Sequence, residues 1–142
     1  IVNIVADMWH SMPGMGHSGA ARAGMVNFTQ TAAVEWAPAG VRVNAVAPGW
    51  IASSGLDNYE GFARQLIPRL KQSVPLYRLG TEAEVSAAIA FLLSEAAAFI
   101  SGTTLRVDGA APNLSAVWPV QEHDRSRPFD GFHRAKLPEV LR

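Results

Sequence analysis

Hydrophobic residues along this chain fall into short continuous runs that alternate with longer periodic stretches. Residues 1–5 form an almost continuous apolar run rich in β-branched side chains, which is typical of a strand buried on both faces of a parallel sheet. Residues 18–36 repeat apolar side chains at helical spacing, which predicts a helix with one apolar face. The members of that predicted face are Met25, Phe28, Ala32 and Trp36.

A second apolar run covers residues 41–47 and is followed by Pro48 and Gly49, which commonly end a strand. The resulting strand–helix–strand unit has the size of a right-handed parallel crossover. Residues 50–79 are mixed in character and predict a loop, a helix over 59–71 and a break at Pro75. A segment of this length after the carboxyl end of a strand often covers a ligand site.

The next stretch begins with a capping box, in which Thr81 and Glu84 occupy the two reciprocal positions. A helix face is predicted from the spacing of Val85, Ala88, Ile89, Leu92 and Ala96. Residues 103–107 predict a third strand, which Asp108 and Gly109 close. The order of elements therefore predicts an α/β fold, one half of a doubly wound sheet with three parallel strands and crossover helices.

The chain divides by character near residue 112. Residues 1–112 carry the strand and helix pattern, whereas residues 113–142 are polar and irregular and contain three prolines. We expect the second part to be an extended tail that lies on its own body or on a partner. Because the chain begins with Ile1 inside a predicted strand, we expect it to be the C-terminal piece of a longer protein; a trimmed N-terminus of a complete domain is the alternative.

Composition narrows the classes of function. The net charge is +0, so nothing in the charge balance favours binding to a nucleic acid. The chain has no cysteine, which excludes a disulfide, a thiolate metal site and a cysteine nucleophile. No apolar run reaches the ~18 residues of a membrane span, and the histidines and carboxylates show no metal-ligand spacing. We expect a cytoplasmic protein without a metal, a membrane or a nucleic acid as partner.

Several motifs, taken in order, resemble the C-terminal half of the short-chain dehydrogenase/reductase family, which has a Rossmann fold. They are residues 1–4, the small-residue helix entry at 16–25, the run 41–49, Arg78-Leu79-Gly80-Thr81, residues 99–102 and Val107-Asp108-Gly109. Residues 17–24 are most similar to peroxisomal trans-2-enoyl-CoA reductase and its bacterial relatives. The family's Gly-rich dinucleotide motif belongs to the N-terminal half and does not occur here.

The chain departs from the family pattern at its acid/base residues. The usual family places a Tyr, and a Lys four residues later, where this chain has Ser18 and Arg22, and its usual Ser falls at Ala6. A serine hydroxyl can donate a hydrogen bond but is a poor proton donor. Reduction of an α,β-unsaturated thioester needs mainly stabilisation of charge on the thioester oxygen. These departures favour that reaction over reduction of a carbonyl.

The resemblance implies a role for each candidate residue, and each has a simpler alternative. The resemblance implies that Ser18 donates a hydrogen bond to the substrate oxygen; the alternative is that it caps the helix. Arg22 lies on the same helix face and is implied to bind the nicotinamide ribose; the alternative is a solvated surface residue. Asp7, at the carboxyl end of the first strand, is a candidate acid; the alternative is a turn residue. His17 is also a candidate acid; the alternative is a polar loop residue. His10 is a weaker candidate.

The loop after the second strand supplies the remaining cofactor contacts that the resemblance implies. Its candidates are Pro48, Gly49, Ile51 and Ser53. Tyr59 and Tyr77 are interpreted as packing residues. The candidate lining of an acyl pocket consists of Met8, Trp9, Met12 and Met15. The alternative is that these side chains simply pack within their loop.

The resemblance thus implies an NADP-dependent oxidoreductase, with NAD as the alternative cofactor, that reduces the 2,3 double bond of an enoyl-CoA-type thioester. One alternative is an alcohol or aldehyde dehydrogenase acting on an aliphatic or terpenoid substrate. Another is a non-catalytic member or inactive fragment that serves as an oligomerisation module. The expected partners are a small acyl or aliphatic substrate and further copies of the chain, as a homo-oligomeric dimer or tetramer.

Overall fold

The centre of the fold is a sheet of three parallel strands, seen in a computed structural model that describes residues 1–129, 131 and 138–142. Its strands are β1 (Val2–Ile4), β2 (Asn44–Pro48) and β5 (Thr104–Val107), in the spatial order β1-β2-β5. The parallel α/β fold predicted from the sequence is confirmed. The described chain forms two units, Ile1–Pro48 with Ala87–Val107, and Gly49–Ser86 with Asp108–Arg142.

The second strand begins at Asn44, three residues later than predicted. The preceding backbone forms its hydrogen bonds elsewhere: the Val41 N–H donates to the Trp36 carbonyl and the Val43 N–H donates to the Ser101 hydroxyl. From Asn44 onward, β2 is paired on both sides, with Val46 opposite Ile4 of β1 and Leu105 of β5. The central strand is therefore buried, as its apolar sequence predicts.

Helix α1 (Gly16–Glu35) packs through small side chains, not through the face that the periodicity predicted. Thr29, Ala32 and Ala33 are buried, and Gly102 lies so near Ala33 that a Cβ on it would be 3.3 Å from the Ala33 Cβ. The large members of the predicted face are exposed, namely Met25, Phe28 and Trp36. The prediction of a buried face is therefore wrong at these three positions and confirmed at Ala32. Small residues allow the close approach, while the large residues project beyond it.

Helix α3 (Glu82–Leu93) begins with the predicted capping box. The Thr81 N–H donates to the Glu84 carboxylate at 2.9 Å, and the Glu84 N–H donates to the Thr81 hydroxyl at 3.2 Å. Leu92 is buried as expected. Ala96 is not on the helix face: it lies in the 3₁₀ turn Glu95–Ala97 and is exposed, because α3 ends at Leu93.

The second unit contains a short parallel pair that the sequence analysis did not predict. Strands β3 (Ile51–Ala52) and β4 (Gly80–Thr81) pair with Ile51 opposite Gly80. Between them, the helix predicted over 59–71 is shorter: α2 (Gly61–Leu66) gives way to a 3₁₀ segment, Ile67–Ser73. Pro68 lacks a backbone N–H, which removes one helical hydrogen bond where the geometry changes.

The predicted tail, residues 113–142, is mostly irregular where it is described, with a 3₁₀ turn at Glu139–Leu141. Within the second unit it forms hydrogen bonds with residues of the segment 57–84. Residues 130 and 132–137 of the predicted tail lie outside the described residues. In the part of the chain that is described, no helix is long and apolar enough to cross a membrane.

Candidate active site

Asp7 lies at the carboxyl end of β1, beside the end of β2. The Val5 N–H donates to the Val46 carbonyl at 2.9 Å, and the Asp7 N–H donates to the Pro48 carbonyl at 3.3 Å. One side-chain oxygen of Asp7, Oδ1, is buried and has no hydrogen-bond partner within the described residues. A buried oxygen without a partner is costly, so this carboxyl group is suited to meet a bound polar group.

Ser18 lies in the first turn of α1. The helix begins at Gly16, and its N-cap is Met15, whose carbonyl accepts the Ser18 N–H at 2.9 Å. Ser18 is therefore inside the helix and does not cap it, so the alternative of a capping role is wrong. Its side chain is half-buried, which leaves a hydroxyl that can donate to a substrate oxygen.

Arg22 follows Ser18 by one helical turn, so both side chains start from the same face of α1. Arg22 is exposed and, among the described residues, has no hydrogen-bond or ion-pair partner. His17 is also exposed, at the second position of the helix. An unpaired guanidinium one turn from a hydroxyl can bind the vicinal hydroxyls of a ribose.

The loop after β2 divides between the two units. Pro48 is the last residue of β2, whereas Gly49, Ile51 and Ser53 belong to the second unit. A Cβ at Gly49 would lie 2.9 Å from the Asp108 Cα, so only glycine fits there without a shift. The first unit therefore contains Asp7, His17, Ser18, Arg22 and Pro48, with Asp7 and Pro48 in direct contact.

Two of the proposed pocket-lining residues, Met12 and Trp9, pack against elements outside the loop 8–15. The Met12 Sδ lies 3.3 Å from the position that a Cβ on Gly19 would take, so Met12 covers the start of α1. The Arg106 guanidinium lies over the Trp9 ring, 5.5 Å from its centroid. These contacts favour the packing alternative for Trp9 and Met12.

Tyr77 has surroundings that oppose a catalytic role. Burial, followed by the charge of Glu122 and a hydrogen bond to it, raises the pKa of the Tyr77 phenol. A tyrosine acid at neutral pH needs the opposite change. The Lys71 ammonium lies 5.0 Å from the Tyr77 ring centroid, over the ring. The structure thus agrees with the interpretation of Tyr77 as a packing residue.

Two polar side chains hold this framework in place: Asn44, which the sequence marks as a structural polar residue of its strand, and Arg42, which sequence reasoning missed. Asn44 is fully buried; its amide donates to the Ile100 carbonyl at 2.8 Å and accepts the Thr103 N–H at 3.1 Å. Arg42 donates to three carbonyls around the end of α3, those of Leu92, Ser94 and Ile100. A polar residue inside an apolar strand was the only indication of this role. Within the described residues, no group of histidines and carboxylates could hold a metal ion.

The parallel sheet, the crossover helix and a set of polar side chains near the strand ends define a Rossmann-type α/β fold of the kind that binds nucleotides at strand carboxyl ends. Residues 1–110 match the family described as enoyl-(acyl carrier protein) reductase. The chain belongs to the short-chain dehydrogenase/reductase family of oxidoreductases.

Two curated relatives show the range of activities among similar proteins. A peroxisomal 2,4-dienoyl-CoA reductase of Danio rerio is 40% identical over 119 residues, which cover 82% of this chain and 39% of the relative. A 3-oxoacyl-[acyl-carrier-protein] reductase of Synechocystis sp. is 44% identical over 112 residues, covering 77% and 42%. The chain therefore spans about two fifths of the length of these relatives.

A solved structure has higher sequence identity. The citronellol catabolism dehydrogenase AtuB of Pseudomonas aeruginosa PAO1 is 65% identical and superposes with a TM-score of 0.64. The match covers 78% of this chain and 41% of AtuB. The names of these three relatives describe different reactions.

Proposed function

We propose that the intact protein is an NAD(P)H-dependent oxidoreductase that reduces the 2,3 double bond of an enoyl thioester. One observation carries this proposal: Ser18 and Arg22 stand one turn apart on α1, in the slots where the family usually has its Tyr and Lys. Hydride addition to the β-carbon leaves charge on the thioester oxygen, and a positioned hydroxyl stabilises that charge without giving up its proton.

The residues of the first unit fit the nicotinamide end of a dinucleotide. Arg22 is a cation without a partner in the described chain, and its planar guanidinium would hold the ribose hydroxyls. In the same unit, Pro48 would provide a further cofactor contact. Gly49, Ile51 and Ser53, which the resemblance also implies as cofactor contacts, belong to the second unit. When bound, the nicotinamide supplies the hydride. NADP is the first choice of cofactor and NAD the second.

Asp7 is the proposed acid/base group. Its buried Oδ1 has no partner within the described residues, so it can hold a water molecule or a proton near the carboxyl ends of β1 and β2. The α-carbon of the substrate takes a proton after hydride transfer, and a carboxyl group or a water molecule bound to it can deliver that proton. His17, which is exposed, is the second candidate for this step.

The second candidate function is dehydrogenation of an alcohol or aldehyde on a terpenoid chain. It is favoured by the 65% identity to AtuB, whose name refers to citronellol catabolism. The dienoyl-CoA reductase name of the other relative favours an acyl thioester. Both names indicate a mainly apolar, elongated substrate, and they differ in the group that reacts.

Homo-oligomer formation is part of the proposal. Met25, Phe28 and Val34 on α1 are exposed, as are Phe91 and Leu93 on α3. Apolar side chains on helix surfaces are suited to contact a second copy. Light scattering of the intact protein tests this; a monomer at working concentration would contradict it.

The test is an assay of the intact protein with NADPH or NADH and a trans-2-enoyl-CoA, with or without a methyl branch, and separately with NADP+ or NAD+ and citronellol or its aldehyde. Loss of reduced nucleotide with the thioester alone supports the first candidate. Turnover of the alcohol or aldehyde alone establishes the second. Absence of nucleotide binding by calorimetry would instead identify a non-catalytic member of the family.

Variants separate the roles of the two helix residues. Arg22→Ala should raise the KM for the nucleotide about tenfold, since it removes charge-assisted hydrogen bonds to the ribose. Ser18→Ala should lower kcat by about 10²-fold, the scale of one lost oxyanion donor. Arg69→Ala, on an exposed position of the second unit, is the control. An unchanged KM in Arg22→Ala would exclude the ribose role.

A further inference from the structure

The tail contains a segment that is fastened to the rest of the second unit at three places. We call residues 121–129 with 138–142 the strap, and residues 57–84 the strapped segment. The match to the family ends at residue 110, so the strap lies beyond the part shared with the family. All of its contacts described here lie within the second unit.

The first fastening point is the ion pair of Arg78 and Glu84, whose Nη2 and Oε1 are 2.5 Å apart. Arg78 Nε donates to the Ser126 hydroxyl at 2.9 Å, and the Phe129 N–H donates to the Glu84 carboxylate at 3.2 Å. The Thr81 hydroxyl donates to the Phe129 carbonyl. Glu84 therefore caps α3 and binds the strap with the same carboxylate.

The second fastening point is Asp57, which lies at the other end of the strapped segment. Its two carboxylate oxygens accept the N–H groups of Glu139 and Val140, at 3.2 and 3.1 Å. The Asp57 carbonyl accepts a hydrogen bond from Arg64 of α2 at 3.0 Å. The same residue thus binds the strap through its side chain and α2 through its backbone.

The third fastening point is His123, whose Nε2 lies 2.9 Å from the Pro75 carbonyl oxygen. The imidazole also lies beside the Tyr77 ring, with centroids 6.2 Å apart. A cavity of about 730 Å³ lies between the strap and the strapped segment. Its lining includes Pro68 and Leu76 from the segment, and Ser126, Pro128 and Leu141 from the strap.

We propose that the strap is a releasable clasp that fixes the conformation of α2 and the 3₁₀ segment after it. The strap contacts described above are mainly polar, and Phe129 is 46% exposed. Pro138 is the only buried residue of the strap as described here, so release exposes little apolar surface. Such segments open locally at low free energy. In the strapped segment, Ile67, Val74 and Ala83 are the buried apolar side chains of the described structure, so α2 depends on the clasp for its order.

Hydrogen exchange of the intact protein, followed by mass spectrometry, tests the clasp. Asp57→Asn weakens the second fastening point, and Ser126→Ala and Glu84→Gln each weaken the first. Each variant should speed exchange of the amides in 61–73 at least tenfold, while amides of β2 exchange at the wild-type rate. Shortening the chain after Val120 should give the largest effect. Matched controls are Glu60→Gln, Ser115→Ala and Glu82→Gln, at exposed positions.

Two results would overturn the proposal. If the strap exchanges faster and residues 61–73 do not, the strap is a passive covering. If β2 exchanges faster to the same degree, the strap is part of the folding core and does not open separately. The measurement does not depend on any substrate, so its outcome is distinct from that of the proposed activity.

Discussion

Arg78 and Glu84 form an ion pair with 2.5 Å between Nη2 and Oε1, and the same carboxylate accepts the N–H groups of Thr81 and Phe129. Burial is the largest single influence on the Glu84 carboxyl and raises its pKa. The hydrogen bonds from Arg78, Thr81 and Phe129, with the charge of Arg78, outweigh it, so the pKa lies below its ordinary value. Because Glu84 also caps α3, the strength of that cap depends on pH through the protonation of the Glu84 carboxylate.

Stability should depend on the protonation of Glu84 at acidic pH. An unfolded Glu has a pKa of about 4.3, so unfolded Glu84 binds more protons than folded Glu84 just below that value. Its stabilising contribution is complete above about pH 5 and is lost as the pH falls through the lower folded pKa. Urea unfolding of the intact protein at a series of pH values should show a flatter acid limb in Glu84→Gln. Glu82→Gln should keep the wild-type slope; a wild-type slope in Glu84→Gln would contradict this prediction.

Arg42 should contribute to stability by closing the end of α3. Its guanidinium donates to the Leu92 carbonyl at 2.9 Å and to the Ile100 carbonyl at 3.2 Å. Arg42→Ala removes the donor to the Leu92 carbonyl at the negative end of the helix, while the Ile100 carbonyl keeps its bond from Asn44, and should reduce the free energy of unfolding by about 1–3 kcal/mol. Chemical denaturation measures the loss. The exposed Arg69→Ala should change stability by less than ~0.5 kcal/mol, and an equally small effect at Arg42 would disprove the role.

Gly49 should tolerate no larger side chain. A Cβ there would lie 2.9 Å from the Cα and the Cβ of Asp108, so Gly49→Ala forces backbone apart and should cost about 1–3 kcal/mol. Gly24 provides the opposite case, because it lies within α1 and a Cβ on it meets nothing within 4 Å. Gly24→Ala should stabilise the protein by about 0.5–1 kcal/mol. Thermal unfolding distinguishes the two, and a neutral Gly49→Ala would refute the steric argument.

Asn44 should be needed for the link between β2 and the turn before β5. Its amide is fully buried and binds the Ile100 carbonyl and the Thr103 N–H. Asn44→Ala removes the acceptor of the Thr103 N–H and one of the two donors to the Ile100 carbonyl, which keeps its bond from Arg42, and this should cost about 1–3 kcal/mol. Asn44→Asp keeps the acceptor but loses the donor, so it should also destabilise. The exposed Asn27→Ala on α1 is the control, and denaturation midpoints within error of wild type at position 44 would contradict this role.

The sequence by itself determined the order and type of the main elements. The apolar runs at 1–5 and 103–107 predicted strands, and β1 and β5 confirm them. The predicted burial of the first strand on both faces is wrong, because Ile4 of β1 is 56% exposed within the described structure. The reciprocal Thr81 and Glu84 pattern predicted the start of α3 within one residue. The absence of the family's Tyr and Lys at Ser18 and Arg22 was also evident from the residues alone.

Tertiary structure decided which surfaces are buried and which polar groups meet. The periodicity of α1 marks Met25 and Phe28 as apolar, but the sheet packs against Thr29, Ala32 and Ala33, since only small side chains allow that approach. The contacts of Asp57 with Glu139 and Val140 join residues more than eighty positions apart. Local patterns report local propensity, whereas such contacts depend on how the whole chain folds back on itself.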